Sequence, residues 1–297
     1  MPTRDIGSFY EFCLTSAGRL HGNRAPLHNI FDADINATDT SLSLAYPTNG
    51  LAYGTPIAIG LERMTVRDVD SSSYTLTISR DFDPTYNAAH TVAADPLVQI
   101  SWEWWLRDIF DACMDELESW PADLYDRADT TVSFTASAIQ ADVTWTRFKS
   151  ILHAWYEDAC GEYHPLPNAQ FRPESGGSST GSFFLGRSAL GRATTVNVTY
   201  AQGRDLSAID FYTTEVDSVI QASWVDILRY GVLWRLMSER QASRLSDSVQ
   251  KPSEDSRVIA STARIQTALG WKELRDSRIA EETARLKRND AYSWRFR

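Results

Sequence analysis

Alternation of polar and apolar residues dominates the chain from about residue 35 to residue 100. The strand-like segments are Ile35–Thr38, Ser41–Leu44, Pro56–Ile59, Met64–Val66 and Tyr74–Ile78. Clusters of Pro, Gly, Asn, Asp and Ser separate these segments and mark turns. Short strands with closely spaced turns predict a small antiparallel β-barrel or sandwich over residues 33–100. Residues 1–32 are interpreted as an N-terminal extension.

Helical periodicity replaces this alternation after residue 101. Apolar residues from Trp102 to Leu117 recur at spacings of three and four, which predicts one buried face of a helix that Pro121 terminates. Nine carboxylates and only two arginines lie between Glu103 and Asp129. We interpret this acidic face as a solvated surface.

Weaker β patterns interrupt the helical region at about residues 130–145 and 194–212. A short helix is predicted over Phe148–Trp155, and a Gly/Ser-rich loop over residues 173–191. A long helix capped by Thr214 or Asp217 is expected to reach Met237. After a break at Pro252, a second helix is predicted from Val258 to Leu286.

Together these patterns predict an α+β protein. It is a helical bundle over residues 101–290, with inserted β strands and a separate N-terminal β-module at residues 33–100. Trp224 and Trp234 lie on the broad apolar surface of the first long C-terminal helix, so both are predicted to be buried.

The last segment, residues 291–297, alternates aromatic with polar or basic residues and is too short to fold alone. We predict an extended docking tail. From Lys272 to Arg297 there are eight Lys/Arg and five Asp/Glu, so this end carries a local charge of +3. The candidate partner-binding residues are Arg285, Lys287, Arg288, Tyr292, Trp294, Arg295, Phe296 and Arg297. Aromatic and arginine side chains are common anchors of protein interfaces.

Composition restricts the function further. The 297 residues carry a net charge of −10, which argues against binding DNA through a broad basic face. Three widely spaced cysteines predict a reducing compartment, with neither a disulfide framework nor a thiolate zinc site. The longest uncharged run, residues 40–61, contains several prolines and glycines and is not predicted to span a membrane. Acidic residues near the start argue against a secretory leader.

Motifs for catalysis or cofactor binding are absent from the sequence. No two histidines stand four residues apart, and no phosphate-binding or nucleotide-binding glycine motif is present. Cys160 with His164, and Asp81 with Asp83, are the pairs from which reactive groups can be built. The Cys160–His164 pair has no third orienting residue in the sequence, and carboxylates such as Asp81 and Asp83 are common in turns. We therefore expect no enzyme, no metal and no cofactor.

One segment carries residues in an order that is more informative than its composition alone. From Gly50 to His90 the chain carries Glu62, Met64 and Val66, then Arg80, and then Ala88-Ala89-His90. This order resembles a β-module of tailed-bacteriophage structural proteins, in which a glutamate-x-methionine-x-valine strand precedes an arginine and a turn ending in alanine-alanine-histidine. Asp81 and Asp83-Pro84-Thr85 replace the two glycines of the family's turn.

The order of helices and β segments also resembles head-to-tail adaptor (connector or gatekeeper-like) proteins of the phage virion. The resemblance implies a structural protein that forms a ring, usually of twelve copies, at the head–tail junction. Its partners would be the portal protein and the next neck or tail protein, a stopper or tail terminator. Genomic DNA would pass through the channel without sequence-specific binding, and an acidic wall would not retain its phosphates.

Such a protein assembles in the host cytoplasm, without a membrane. Two alternatives remain open from the sequence. A minor tail or baseplate protein carries the same β-module, and a virion-associated cell-wall or polysaccharide hydrolase belongs to another class. A hydrolase should clear host cell wall and lose activity when one carboxylate is changed, whereas an adaptor should form a closed ring or assemble only with portal.

Overall fold

The computed structural model describes residues 7–21, 27–48, 51–80, 87–94, 97–102, 104–174, 180–186, 190–248 and 255–295. At residues 21, 122, 239–248, 255–265 and 289–295 it describes the backbone only. The chain divides into two compact units. The first unit comprises Met1–Glu116 and Ala208–Arg278, and the second comprises Leu117–Ser207 and Ile279–Arg297.

A six-stranded antiparallel sheet forms the β part of the first unit. Its strands are β1 (His28–Ile30), β2 (Ser41–Ser43), β3 (Pro56–Ile59), β4 (Glu62–Asp70), β5 (Thr75–Ser79) and β6 (Leu97–Ile100), arranged in the order β1-β6-β3-β4-β5-β2. The sheet curls into a half-barrel. A bridge between Phe31 and Leu44 joins the ends of the two edge strands, because Ala45 N–H donates to the carbonyl of Ile30 there.

Alternation along these strands fills the inside of the half-barrel with aliphatic side chains. The buried set is Phe31, Ile35, Leu42, Leu44, Ile57, Ile59, Met64, Val66, Leu76, Ile78, Val98 and Ile100. Each large side chain buried in this way contributes about 1.5–3 kcal/mol. On β4 the buried positions are Glu62, Met64 and Val66, so a carboxylate shares the face of two apolar residues.

Helices make up the rest of the first unit. They are α1 (Phe9–His21), α2 (Leu106–Glu118, of which residues 106–116 belong to this unit), α3 (Val216–Val219), α4 (Val225–Ser248) and the first part of α5 (Asp255–Arg295). The ring of Phe9 packs edge-on against Phe110 of α2 at 5.9 Å between centroids. Helices α4 and α5 run antiparallel, with Tyr230 stacked on Trp271 at 5.5 Å and Arg278 donating to the carbonyl of Ser223.

Two antiparallel sheets share one core in the second unit. Strands β7 (Asp126–Phe134), β9 (Phe148–Glu157), β10 (Tyr163–Pro165) and β13 (Thr194–Gln202) form one sheet, in the order β10-β9-β13-β7. Strands β8 (Gln140–Thr144), β11 (Gln170–Pro173) and β12 (Thr180–Phe184) form the other, in the order β11-β12-β8. Trp145 lies 5.0–5.4 Å between ring centroids from Phe148, Phe171, Phe183 and Tyr200.

The coarse fold prediction is confirmed. The protein is a mixed α+β structure with an N-terminal six-stranded antiparallel sheet, further antiparallel sheets and C-terminal helices. Helix and strand each make up about a third of the chain, at about 32% and 34%, so the strands are more than small insertions. The sheet also includes β1, before the predicted start at residue 33, and the supposed extension contains helix α1.

Several predicted elements are wrong. Phe148–Trp155 is not a helix but most of strand β9, which is paired with β13 on one side and β10 on the other. The spacing of its apolar residues fits a helix as well as a strand, and hydrogen bonding to β13 and β10 makes the segment a strand. Residues 209–212 form no strand, since β13 ends at Gln202.

The first long C-terminal helix begins at Val225 rather than near Thr214 or Asp217. Extended backbone at Ile220 and Gln221 separates it from the short α3, whose N-cap residue, Glu215, makes no side-chain capping bond. The second helix is longer than predicted, from Asp255 to Arg295. Part of the predicted Gly/Ser loop is strand β12. The turn at residues 81–86, including Asp81 and Asp83, lies outside the described residues, as does Pro252.

Candidate partner-binding surface

The residues that carry the resemblance to the phage β-module meet inside the half-barrel. Arg80 Nε and Nη2 each donate to one oxygen of the Glu62 carboxylate at 2.7 Å, which is a bidentate ion pair. His90 Nε2 lies 2.7 Å from Glu62 Oε2. All three side chains are buried, with Glu62 only 1% exposed. The motif therefore encodes one buried cluster.

This cluster fastens loops to the strands. Arg80 also donates to the carbonyls of Asn36 and Ala88, and the backbones of Ile35 and His90 pair in both directions. Burial alone would raise the pKa of Glu62, but hydrogen bonds from Arg80 and His90 outweigh it and leave that pKa below its ordinary value. Because no part of the cluster is at the surface, its role is to hold the fold rather than to contact a partner.

A second buried carboxylate joins the helices of the first unit. Glu116 of α2 is fully buried and accepts bonds from Arg235 Nε at 2.8 Å and Arg275 Nε at 2.5 Å. Gly231 of α4 permits this approach, since a Cβ there would lie 2.2 Å from the carboxylate carbon of Glu116. The interpretation of the acidic residues around α2 as wholly solvated is therefore wrong for Glu116.

Trp234 lies beside this carboxylate and is only half-buried, whereas Trp224 is 2% exposed. The cationic groups of Arg235, Lys272 and Arg275 approach the Trp234 ring at 5.5–5.7 Å. The prediction of burial is thus confirmed for Trp224 and wrong for Trp234, which supports cations at the edge of the helix pair.

The described candidate partner-binding residues lie on α5. Arg285, Lys287 and Arg288 are all exposed. Arg285 pairs with Glu282 at 2.7 Å, and Lys287 lies 3.5 Å from a carboxylate oxygen of Asp123. The pair of Lys287 with Asp123 is exposed enough to contribute about 1 kcal/mol or less, so Lys287 can bind a partner at small cost. The carboxylate that pairs with Arg285, Glu282, is itself buried.

The remaining candidate residues belong to the C-terminal segment. The backbone at Tyr292, Trp294 and Arg295 is helical, because α5 continues to Arg295. The prediction of an extended tail from residue 291 is therefore wrong as far as that residue. Phe296 and Arg297 lie outside the described residues. The short alternation of aromatic and polar residues predicted an extended segment, but a long helix that is already formed continues through it.

Sequence spacing also missed a pair of thiols. Cys13 of α1 and Cys113 of α2 are both buried and free, and their side chains are hydrogen-bonded to each other. Burial, followed by this contact, raises the pKa of Cys113 well above its usual range. Cys13 and Cys113 each fall on the apolar face of a helix. That position is the one signal in the sequence that the two thiols could meet where the helices pack.

Comparison with models of known protein families gave no match to this chain, and comparison with curated proteins gave none either. Among the described residues, no helix is both long and apolar enough to cross a membrane. Support for a function therefore rests on the residues themselves.

Proposed function

We propose that this chain is a structural protein of a tailed-phage virion, a head-to-tail adaptor that forms a ring on the portal and continues the DNA channel. The observation that carries the proposal is the cluster of Glu62, Arg80 and His90. These residues were singled out by order in the sequence, and they meet in a single buried network. If the match were only a chance alternation of strand residues, these three side chains would have no reason to meet in one network.

The helices supply the second part of the proposal. In an adaptor, α1, α2, α4 and α5 act as the helical bundle, and the half-barrel acts as the module attached to it. Glu116 links α2 to both α4 and α5 through Arg235 and Arg275. A ring subunit needs this kind of stiff helical frame, because its neighbours and the portal bind to surfaces that must keep their spacing.

The end of α5 is the proposed attachment element. Within the second unit, its half-buried or buried positions are Ile279, Glu282, Thr283 and Leu286. Beyond Leu286 the sequence places aromatic residues at positions 292, 294 and 296. They are the proposed anchors for a groove on a partner, of the kind that amphipathic helices commonly occupy.

The charge distribution agrees with such a role. The exposed cations Arg285, Lys287 and Arg288 precede the aromatic residues, at the basic end of a chain with net charge −10. An acidic surface on the partner would be attracted to this end, while the acidic remainder of the chain would not retain DNA phosphates. Portal is the partner that this proposal names.

Co-expression with the portal protein of the same viral genome tests the proposal. The full chain should sediment with portal rings and appear in electron micrographs as a ring of twelve copies on one face of them. Deleting Asp290–Arg297 should abolish co-sedimentation and leave the melting temperature of the free chain nearly unchanged. The double variant Arg285→Ala/Arg288→Ala should weaken co-sedimentation with portal. The control variant Arg67→Ala, which changes an exposed arginine of β4, should leave it unchanged.

Failure of the full chain to bind portal would overturn the adaptor function. Binding to purified tails instead would favour the minor tail or baseplate alternative. Full-strength portal binding by the truncated chain would leave the adaptor function standing and show that the end of α5 is not the attachment element. An earlier melt of the truncated chain would assign that segment to the subunit's own core.

A further inference from the structure

A tight turn connects strands β9 and β10 in the second unit. Asp158 N–H donates to the carbonyl of Glu162 at 2.9 Å, and Gly161 N–H donates to the carbonyl of Asp158 at 3.1 Å. Gly161 has a φ of +82°, which a side chain would disfavour. These bonds give the backbone of the turn a defined geometry.

The Asp158 carboxylate uses its two oxygens differently. Oδ1 accepts the backbone N–H groups of Cys160 at 2.8 Å and Glu162 at 3.0 Å, while Oδ2 lies 3.0 Å from His164 Nε2. One oxygen of Asp158 is thus anchored by the backbone, and the other is turned toward the imidazole.

A third donor completes the arrangement. One side-chain donor atom from each of Asp158, Glu162 and His164 lies within 4.8 Å of the other two. The imidazole of His164 stacks on the ring of Tyr156 at 5.1 Å between centroids and 24° between planes, which limits its rotation. Two carboxylates therefore lie close together beside a ring nitrogen.

We infer that Asp158, Glu162 and His164 form a binding site for a divalent transition-metal ion, of which Zn²⁺ is the best match. Zinc accepts mixed imidazole and carboxylate donors, and water completes its coordination at an open site. Ca²⁺ and Mg²⁺ prefer sets made only of oxygen, so the imidazole selects against them. The ion would neutralise the two carboxylates and link the end of β9 to the start of β10.

The sequence had offered a different interpretation of this segment. It pairs Cys160 with His164 as a possible nucleophile and base, because the two are close along the chain. In the structure His164 faces Asp158, and Cys160 is exposed in the turn. A metal site therefore uses the carboxylates on either side of Cys160, and the thiol is not one of the three donors.

Metal titration of the full chain tests this site. After treatment with a chelator and its removal, Zn²⁺ should bind with a saturable one-to-one isotherm in calorimetry, and Co²⁺ should give a visible absorption band at the same stoichiometry. Asp158→Asn, which keeps an oxygen for the turn, should weaken Zn²⁺ binding at least tenfold, as should Glu162→Gln and His164→Ala. Cys160→Ser and His28→Ala, an exposed histidine of β1, should leave it unchanged.

Weak, non-saturable uptake of Zn²⁺ would overturn the proposal and leave an exposed ion pair only. Loss of binding in Cys160→Ser alone would replace the proposed donors with a thiolate site. Tighter binding of Ca²⁺ than of Zn²⁺ would contradict the chosen class of metal. Glu162→Gln is decisive if the other variants fold poorly, since the side chain of Glu162 is exposed.

Discussion

The half-barrel of the first unit and the two sheets of the second unit, which form a sandwich around one core, are both antiparallel β structures, yet different kinds of side chain fill their interiors. Among the described residues, the buried half-barrel core is aliphatic apart from Phe31, and it encloses the ion pair of Glu62 and Arg80. The sandwich core is dominated by the rings that surround Trp145. No charged side chain is among the buried residues in the described part of residues 117–207.

The difference reflects what each interior must hold in place. Two facing sheets are separated by about 10 Å, and large rings span this distance from either side. A curled single sheet has less room inside, but its connecting loops must be fixed across the opening. Arg80 does this by binding the carbonyls of Asn36 and Ala88 while remaining paired with Glu62. Aromatic packing therefore distinguishes the sandwich, whereas a buried ion pair that fastens loops distinguishes the aliphatic core of the half-barrel.

The largest expected effect is in the sandwich. Trp145→Ala should lower its free energy of unfolding by about 3–5 kcal/mol, because the cavity would remove contacts with four rings. Hydrogen exchange of β9 and β13 amides, followed by mass spectrometry, measures this loss. Trp155→Ala is the matched control, since Trp155 is half-buried and should cost less. A loss below about 1 kcal/mol for Trp145→Ala would mean that the rings do not carry the sandwich.

The corresponding change in the half-barrel is Arg80→Met. It should cost about 3 kcal/mol at neutral pH, because Glu62 would be left buried without its main partner. Exchange of β4 and β5 amides reports the effect. Adding Glu62→Met should restore much of the stability, since a buried ion pair is often replaceable by apolar groups. Equal stability of Arg80→Met and the unchanged chain would show that the cluster does not fasten the half-barrel.

The same contrast explains which parts of the fold were predictable. Strands β2 to β5 were found because one face of each is apolar and the other polar, which a period of two makes visible. The order of Glu62, Arg80 and His90 singled out these residues as part of a family motif, but it did not predict that they form one buried cluster. Strand β9 was missed, since Phe148, Ile151, Leu152 and Trp155 satisfy helical spacing as well.

The candidate sites were predictable only where neighbours in the chain are neighbours in space. The exposed cations Arg285, Lys287 and Arg288 lie on one helical turn, so a local count of charge found them. Glu116 and its partners Arg235 and Arg275 are more than a hundred residues apart along the chain. Within the Asp158 turn, the sequence singled out Cys160 and His164, because it does not show which side chain the backbone bonds hold toward the imidazole.

The smallest expected effect is the response to acid, which should separate the two β regions without any mutation. Burial opposes ionisation of Glu62, but the bonds from Arg80 and His90 hold its pKa below the ordinary value of 4.5. The folded form therefore binds fewer protons than the unfolded form, and the stability contributed by Glu62 is lost as pH falls below about 5 toward that lowered pKa. The loss should be smaller than for Arg80→Met, because Arg80 keeps its bonds to two carbonyls. Protection factors, in which the exchange rate is corrected for its intrinsic pH dependence, should fall more in β4 and β5 than in β9 and β13 between pH 6 and pH 3.5, and Glu62→Gln should remove that excess. An equal acid response of the two regions would contradict the assignment of Glu62 as the acid-sensitive group of the half-barrel.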